Sequence, residues 1–338
     1  MENSSRQLGW ALIGCGSAGK MHTLGAIANP DIVVRGFCDL EIESAMAFSC
    51  DQEGSYFTAD YFQILSDPTI DIVSIATSHD SHAELSIAAL QAGKHVFLEK
   101  PMALNSVDCL RIEAARIEAD RTLMLNHSIR FSNTARTVRN RLGPIKVSHG
   151  QCTQSPVDLS KWRWHPIQGG GPLYDVGVHA LDLICWMHGD RPVEVYATGG
   201  SVCHADNLGS SAVVDTVVAT LRFADGGASS FLMADAGRNQ LTGNGFFQFF
   251  DGSMSAVIHD HWKAATFTHQ DPSNGRQLSE TIRPDPEEHF AHLINAIRSG
   301  IGPTVGTADG RRVVLLVERI LDSIATGSPQ RWVSPELE

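Results

Sequence analysis

The sequence predicts an α/β protein with an N-terminal doubly wound parallel sheet and a C-terminal α+β domain built on a large, mainly antiparallel open sheet. The chain has 338 residues, and a single core usually stops growing near roughly 250–300 residues. Strand and helix signals alternate through the N-terminal third, whereas strand-like runs separated by turn residues dominate the second half. We therefore expect two domains, at residues 1–126 and 127–338.

The N-terminal elements are predicted from short apolar, β-branched runs that alternate with segments of helical spacing. Gly93 marks the end of one of these helices. The predicted strands are Leu8–Cys15, Ile32–Asp39, Asp71–Ala76, His95–Leu98 and Thr122–Leu125. The predicted helices are Ser17–Ala28, Ile42–Gln52, His79–Ala92 and Ser106–Asp120. This order specifies a parallel sheet with helices on both faces.

The C-terminal part contains strand-like runs joined by Asp225-Gly226 and Asp251-Gly252, which are typical of tight turns. The predicted strands are Ile145–Cys152, Val193–Thr198, Val213–Phe223, Ala228–Ala234 and Gly245–Phe250. The predicted helices are Pro172–Met187, Glu287–Ser299 and Asp309–Thr326. Close turns between successive strands favour an antiparallel sheet.

Composition excludes several classes of partner. The net charge is −12 and no cluster of Lys and Arg offsets it, so we expect no nucleic-acid partner. No apolar run reaches the roughly 18 residues of a membrane span, and Met1–Gln7 is too polar for a signal peptide. The seven cysteines are scattered without a C-x-x-C pair. We therefore expect a cytoplasmic protein without a disulfide framework.

A glycine-rich turn follows the first predicted strand and opens the first predicted helix. Its residues, Gly14-Cys15-Gly16-Ser17-Ala18-Gly19, match G-x-G-x-x-G. In a Rossmann domain the first glycine permits the turn, the second lets a pyrophosphate approach, and the third lets helix pack on strand. The N–H groups at the start of the helix, from Ser17 onward, then face the phosphates. The turn predicts a dinucleotide site.

Asp39 lies 20 residues after Gly19, at the end of the second predicted strand. A carboxylate at this place accepts hydrogen bonds from the adenosine ribose and repels a 2′-phosphate, which favours NAD over NADP. An ordinary turn aspartate is the alternative interpretation. NADP also stays open, because a nearby cation can accommodate the extra phosphate, although Arg35 lies too early in the strand for this role.

Two further segments carry chemistry. Glu99 and Lys100 follow the strand His95–Leu98, at the edge where open α/β sheets bind ligands, and Pro101 ends that strand. In the second segment, a glycine run precedes a helix on which Asp175 and His179 are four residues apart and share a face.

The same predicted helix carries a polar stripe and an apolar one. Asp182 and Trp186 extend the stripe of Asp175 and His179, so we expect the polar stripe to face a cleft. The opposite, apolar stripe is expected to face the core and consists of Leu173, Val176, Ala180, Ile184 and Met187. A solvated helix face with an Asp–His pair is the alternative.

Over almost its whole length the sequence resembles the glucose–fructose oxidoreductase/inositol dehydrogenase/rhizopine catabolism (Gfo/Idh/MocA) oxidoreductases. The most specific matches are A-G-K-H-V-x-x-E-K-P at Ala92–Pro101 and G-G-G-x-x-x-D-x-G-x-H at Gly169–His179. Weaker matches are Ala76-Thr77 followed by His82, Arg130-Phe131, and Trp162-Arg163. Many relatives have Thr-Pro-Asn where this chain has Thr77-Ser78-His79, so Ser78 or His79 is expected to replace the asparagine contact.

The resemblance implies NAD(P)-dependent hydride transfer between a nicotinamide and a hydroxyl or carbonyl carbon of a sugar, polyol or cyclitol. It also implies a homodimer or homotetramer formed through the C-terminal sheet. Lys100, Asp175 and His179 are then the catalytic residues, and Glu99 lies against the nicotinamide ribose. The remaining cofactor-binding residues implied by the resemblance are Thr77, Ser78, His82, Lys100, Arg130, Trp162 and Arg163.

The individual roles of the three catalytic residues stay open. His179 is the natural proton carrier because its pKa lies near neutrality, and Lys100 can stabilise an alkoxide, but the two assignments are exchangeable. The rival functions are an NAD-dependent glycosidase on the same fold and a non-catalytic dinucleotide-binding regulator. No H-E-x-x-H motif accompanies the 15 histidines, so we expect no metal site. Substrate choice is assigned to the segments 153–168, 236–245 and 259–284.

Overall fold

The computed structural model describes residues 6–154, 158–189, 192–208, 213–237, 243–271, 273–284 and 289–331. These residues form two compact units. The first unit contains residues 6–127 and 289–312, and the second contains residues 128–284 and 313–331. A segment from the end of the chain therefore joins the first unit, which the predicted bounds of 1–126 and 127–338 do not include. Those bounds stay a prediction.

The first unit is built on a six-stranded parallel sheet in the order β3-β2-β1-β4-β5-β6. Its strands are β1 Leu8–Ile13, β2 Ile32–Cys38, β3 Tyr56–Thr58, β4 Ile72–Ile75, β5 His95–Leu98 and β6 Leu123–Leu125. Its helices include α1 Ser17–Ala28, α2 Ile42–Ser49, α3 Tyr61–Ser66, α4 His82–Gln91 and α5 Ser106–Ala119. The strand order reverses between β1 and β4, and the carboxyl edge at such a reversal is where these sheets bind ligands.

The predicted parallel α/β architecture is confirmed, with two elements missed. The sequence interpretation contained neither β3 nor α3, because runs of three and six residues carry too little periodicity to stand out. One predicted helix is also divided, since a 3₁₀ turn at His79–Ser81 precedes α4. Gly93, at φ +76°, ends α4 as predicted.

A helix from late in the chain completes the core of the first unit. This helix, α9, spans His289–Ser299. Its Phe290 is buried and packs edge-on against Trp10 of β1 and Phe97 of β5, with ring centroids 6.1 and 5.1 Å apart. Edge-to-face aromatic pairs of this kind add to the stability gained by burial. The sheet face beneath β1 and β5 is therefore covered by a residue that lies 280 positions after Trp10 and 193 positions after Phe97.

The described residues of the second unit form a nine-stranded sheet in the order β14-β13-β12-β11-β7-β10-β9-β8-β15. Its strands are β7 Val147–Thr153, β8 Pro192–Gly200, β9 Thr216–Phe223, β10 Ala228–Ala234, β11 Gly245–Phe250, β12 Met254–His259, β13 Ala264–Gln270, β14 Gln277–Ile282 and β15 Gln330–Arg331. Its helices are α6 Asn133–Arg141, α7 Val178–Met187, α8 Ala205–Leu208 and the part of α10 Thr307–Thr326 after Arg312. Every pair is antiparallel except β7–β10, which confirms the predicted sheet.

Helix α7 packs on one face of this sheet. A Cβ on Gly150 of β7 would lie 2.6 Å from the Ile184 Cδ1 atom of α7, so glycine permits this close approach. Along β9, buried and exposed residues alternate, so within the described part of the chain the β9 side chains opposite α7 are exposed. The turns at Gly226 and Gly252 have φ values of +87° and +100°, as predicted for tight turns.

The segment 259–284, expected to be a loop that sets substrate choice, is not a loop for most of its length, while its role in substrate choice stays a prediction. Strands β13 and β14 occupy 264–270 and 277–282 and pair with each other. In β14 five of six residues are exposed, so the run lacks the apolar alternation that predicts a strand. Pairing with the neighbouring strand, rather than local pattern, defines this element.

Among the described residues, no helix combines the length and apolarity needed to cross a bilayer.

Candidate cofactor and active site

The glycine turn after β1 has the geometry that each glycine was expected to supply. Gly14 adopts φ +100°, and a Cβ there would lie 2.5 Å from the Ala76 carbonyl oxygen. A Cβ on Gly19 would lie 2.2 Å from the Gly14 carbonyl oxygen, so the third glycine lets α1 pack against the strand. By contrast, a Cβ on Gly16 would meet no protein atom within 4 Å. Gly16 thus borders open space at the N-terminus of α1, which fits a pyrophosphate.

Asp39 is fixed beside this turn by two backbone hydrogen bonds. Its Oδ2 accepts from the Cys15 N–H at 2.7 Å, and its Oδ1 accepts from the Glu41 N–H at 3.0 Å. Burial, followed by the charge of Asp39, raises the pKa of the Cys15 thiol to about 12. The thiol therefore stays neutral where phosphates are expected to bind, and the carboxylate is held in place for a ribose.

Three residues after β4 were expected to contact the cofactor or to replace its asparagine contact. The hydroxyl of Thr77 lies 2.6 Å from that of Ser81, and the Ser78 hydroxyl donates to Asp80 at 2.6 Å. Ser78 is half-buried, whereas His79 is only 3% exposed. Ser78 is therefore the more accessible of the two candidate replacements, and its contact with the cofactor stays a prediction.

His82 connects the ends of β4 and β5 from inside the protein. Its Nδ1–H donates to the Pro101 carbonyl oxygen at 2.7 Å, and its Nε2 lies 3.4 Å from the Thr77 carbonyl oxygen. The ring is fully buried, and burial lowers the pKa of His82, so the ring is neutral. These contacts position the backbone beside Thr77 and Lys100. A direct contact of His82 with the cofactor stays a prediction.

Glu99 follows β5 and is held by two side chains from other elements. Its Oε1 accepts from His22 Nε2 at 2.9 Å and from Asn126 Nδ2 at 2.6 Å. Burial acts to raise the pKa of Glu99, but the His22 hydrogen bond, the charges of His22 and Lys100 and the Asn126 hydrogen bond together lower it to about 2. The carboxylate is therefore ionised at neutral pH. Lys100, the next residue, is half-buried.

His22 and Asn126 belong to no motif that the sequence analysis singled out. Both touch Glu99 in the structure. The position of each residue in the sequence is the signal that could have identified it. His22 lies three residues after Gly19 on α1, and Asn126 directly follows β6, so both are close to the carboxyl edge of the sheet.

In the second unit, Asp175 pairs with Arg163. The Arg163 Nε and Asp175 Oδ2 atoms lie 3.3 Å apart, and the Arg163 guanidinium lies 5.3 Å from the centroid of the Trp162 ring. Both residues line a small cavity of about 70 Å³. Its lining residues are Gln154, Asp158, Lys161, Arg163, Trp164, Pro172 and Asp175. Two sequence-predicted residues, one assigned to the cofactor and one to catalysis, therefore line the same cavity.

The backbone around Asp175 differs from the predicted α-helix. Leu173–Gly177 forms a π-helical turn, and α7 begins only at Val178. The i→i+5 hydrogen bonds of a π-turn widen the helix, and such turns occur often at functional sites. The angular offset between Asp175 and His179 is therefore not that of a regular α-helix. Both side chains are half-buried.

The expectation that Asp182 continues a cleft-facing polar stripe is wrong. Asp182 is 1% exposed and accepts two hydrogen bonds from Arg130, at 2.8 Å from Nε and 2.6 Å from Nη2. Val176, assigned to the core-facing stripe, is only half-buried. A buried carboxylate is stable only with such a partner, and the bidentate pair supplies it. Cofactor contact by Arg130 stays a prediction.

A buried ion pair that sequence reasoning missed lies beside the cavity. His204 Nε2 and Asp235 Oδ2 are 2.7 Å apart, and the His204 ring packs edge-on against Trp164 at 5.1 Å. Burial is the main cause that raises the pKa of Asp235. No local motif marks these residues in the sequence, because they lie 31 positions apart, His204 just before α8 and Asp235 just after β10.

Comparison with known proteins identifies the family. Residues 8–127 match the model described as "Oxidoreductase family, NAD-binding Rossmann fold", and residues 135–241 match the "GFO/IDH/MocA C-terminal domain". Together the two models cover more than half of the chain.

Similar curated proteins span nearly the whole length. The chain is 26% identical over 321 residues to myo-inositol 2-dehydrogenase of Thermotoga maritima, covering 90% of this chain and 92% of that protein. It is 25% identical to levoglucosan dehydrogenase of Pseudarthrobacter phenanthrenivorans, covering 97% and 98%.

A solved structure shares the fold. Aldose–aldose oxidoreductase from Caulobacter crescentus, complexed with glycerol, superposes with a TM-score of 0.84 at 24% identity, covering 97% of this chain and 100% of that one. The family models, the length of the matches and the geometry of the glycine turn agree. The chain belongs to the Gfo/Idh/MocA family of NAD-binding oxidoreductases.

Proposed function

We propose that this protein is an NAD-dependent dehydrogenase or reductase acting on a CH–OH group of a sugar, polyol or cyclitol. The observation that carries the proposal is the cradle at Gly16, open at the N-terminus of α1 and flanked by the fixed Asp39 carboxylate. Relatives named for myo-inositol, levoglucosan and 1,5-anhydro-D-fructose support the substrate class. Asp39 supports NAD over NADP, because its charge repels a 2′-phosphate.

The residues assigned to catalysis follow from the family motifs. Bound nicotinamide supplies hydride transfer at its C4 atom. His179 moves the proton of the reacting hydroxyl, and the Lys100 ammonium hydrogen-bonds the reacting oxygen as negative charge develops. These two assignments are exchangeable, since a lysine in a low-dielectric site also acts as a base. Asp175 holds a substrate hydroxyl or orients His179.

The cavity around Asp175 supports a polyhydroxylated substrate. Its charged lining residues are two carboxylates, Asp158 and Asp175, and two cations, Lys161 and Arg163. Carboxylates accept and the cations donate hydrogen bonds, so the lining matches vicinal hydroxyls, which both donate and accept. The lining also carries no net charge, which favours a neutral polyol over a phosphorylated one.

We place the protein in the cytoplasm as a homodimer or homotetramer. None of the seven cysteines, all of which lie in the described residues, forms a disulfide, which is typical of a reducing compartment. The open face of the nine-stranded sheet exposes apolar side chains, including Val218 at 52% and Tyr196 at 40%. A second copy of the chain packing on this face would bury them, as the family resemblance implies.

A substrate screen tests the proposed function. Sugars, polyols and cyclitols are incubated with NAD⁺ or NADP⁺ while the absorbance of the reduced cofactor is followed. We expect stoichiometric reduction of NAD⁺ by at least one compound, at a rate above that with NADP⁺. Tightly held NAD that is not consumed while a glycoside is cleaved would support the glycosidase instead. NAD binding without turnover of any compound in either direction would support the regulator.

A further inference from the structure

The carboxylate of Glu99 is engaged through one oxygen only. Both of its hydrogen bonds among the described residues go to Oε1, from His22 and Asn126. The side chain is 12% exposed. Oε2 has no hydrogen bond to any residue that the structure describes, and it is not among the atoms that are both buried and unpaired, so it reaches solvent. Oε2 is therefore the accessible acceptor of Glu99, at the carboxyl edge of β5 where this kind of sheet binds its ligand.

His22 has no freedom to turn away from Glu99. Its ring is 2% exposed and stacks on Phe97, with centroids 4.5 Å apart and an interplanar angle of 21°. Phe290 of α9 packs edge-on against the same ring at 6.5 Å. Two aromatic rings from β5 and α9 thus fix the direction in which Nε2 points, and α1, which carries His22, begins at the glycine turn.

The surroundings of His22 also select its tautomer. Nδ1 is buried without a hydrogen-bond partner, so a proton there would leave an unsatisfied buried N–H group. When the ring is neutral, its proton therefore resides on Nε2 and is donated to Glu99, while Asn126 Nδ2, which lies 3.3 Å from Nε2, donates to the same carboxylate oxygen. The Asn126 amide is oriented with Nδ2 toward Glu99, because the reverse orientation would set two oxygens against each other. Its Oδ1 atom is buried without a partner as well.

Resting on the function proposed above, we propose that His22 and Asn126 are positioning residues that saturate Glu99 Oε1 and thereby aim Oε2 at the hydroxyls of a bound NAD. Glu99 contributes a single directed acceptor, and its two donors come from α1 and from the end of β6. The other charged or titratable groups facing Glu99 are Lys100 and His82. The helix that begins at the pyrophosphate cradle thus also sets the acceptor for the nicotinamide half.

Two substitutions of His22 distinguish the contribution of its N–H donor from that of its aromatic ring. His22→Phe keeps the aromatic stack and removes the N–H, whereas His22→Gln removes the ring and keeps a donor at the position of Nε2. We expect His22→Phe to weaken NAD⁺ binding about 10-fold, the effect of losing one hydrogen bond to a charged group. His22→Gln should stay within about threefold of wild type. Binding is measured by fluorescence titration, and thermal unfolding verifies the fold.

Further variants keep the test decisive. Asn126→Ala deletes the second donor without touching the aromatic stack and should weaken NAD⁺ binding in the same way. In a Glu99→Gln background, His22→Phe should have little further effect, because the two act through one carboxylate. The matched control is His95→Phe at the opposite end of β5, which should bind NAD⁺ as wild type does.

Wild-type affinity for NAD⁺ in both His22→Phe and Asn126→Ala would overturn the positioning role, and so would a His22→Gln variant as weak as His22→Phe. Failure of the proposed function looks different, because then the wild-type protein itself neither binds nor reduces NAD⁺.

Discussion

At the scale of the single residue, the Asp39 carboxylate is the side chain to which we assign the choice between NAD and NADP. Two backbone N–H groups, of Cys15 and Glu41, hold its oxygens beside the glycine turn. A fixed negative charge there accepts from a ribose diol but meets a 2′-phosphate with repulsion. We therefore expect discrimination to come from a charge that the backbone holds in place, at the end of β2.

Replacing Asp39 with Ala is expected to lower kcat/KM for NAD and raise tolerance of NADP. The ratio of the two values should shift by at least about 10-fold toward NADP, because one charged hydrogen-bond acceptor is lost. Steady-state kinetics with both cofactors measure the ratio. Asp31→Ala, an exposed aspartate of the same unit, is the control. An unchanged cofactor ratio would remove the ribose role from Asp39.

Lys100→Ala and His179→Ala are each expected to lower turnover by at least about 100-fold, as for loss of general acid–base catalysis. Single-turnover hydride transfer, followed by cofactor absorbance, measures the chemical step separately from product release. Lys146→Ala, at an exposed position of the second unit, is the control. Near-normal turnover in both variants would show that neither residue takes part in proton transfer.

Glu99 also links the site to stability at low pH. Its pKa of about 2 lies below the ordinary value of 4.5. Stability from the ionised carboxylate is therefore fully present above about pH 4.5 and is lost as the pH falls toward 2, on the order of 3 kcal/mol in all. The free energy of unfolding of wild type minus that of Glu99→Gln should shrink across this window. A difference independent of pH from 6 to 3 would contradict the depressed pKa.

At the scale of the element, the start of α1 combines two glycines with opposite requirements. Gly19 is glycine because the backbone of the preceding turn leaves no room for a Cβ. Gly16 has φ −91°, which any residue adopts, and no protein atom would touch its Cβ. The protein fold therefore requires glycine at position 19. At position 16 the fold would accept a larger residue, so the glycine there is explained by the approach of a ligand.

Alanine at each position should separate fold from binding. Gly19→Ala is expected to lower the free energy of unfolding by about 1–3 kcal/mol through overpacking. Gly16→Ala should unfold like wild type but bind NAD⁺ at least about 10-fold more weakly, since its methyl group occupies space meant for the pyrophosphate. Thermal unfolding and NAD⁺ titration of the pair provide the test. A Gly16→Ala protein with wild-type affinity would mean that the dinucleotide does not approach this residue.

At the scale of the whole molecule, the two faces of the nine-stranded sheet differ in what covers them. Helix α7 packs on one face, and Val218 of β9 and Leu232 of β10 pair on the other, with Val218 52% exposed. Apolar side chains on an open sheet face favour association with a partner surface. A second copy with the same face gives a closed, symmetric assembly.

If the chain associates through this face as proposed, the double variant Val218→Asp/Leu232→Asp is expected to be a folded monomer, because association would bury two carboxylates without partners. Light scattering after size-exclusion chromatography measures the mass, and circular dichroism verifies the fold. Ile301→Asp, 71% exposed in the first unit, is the control. If the double variant keeps the wild-type mass, the open sheet face is not the interface.

The sequence by itself determined the parallel sheet, the glycine turn and the position of Asp39. Each of these depends on local chemistry: helical or β spacing, a glycine where no Cβ fits, and a carboxylate at a strand end. The bounds of α1, β5, β10 and β11 were therefore predicted to the residue.

Only the tertiary structure decided which polar residues act together. Glu99 is held by His22 and Asn126, which lie 77 and 27 residues away in the chain, while Asp182 pairs with Arg130 inside the core and leaves the predicted stripe. Likewise β14 exists because β13 pairs with it. Hydrogen bonds between distant segments carry no local pattern, since burial and partner geometry arise only when the chain has folded.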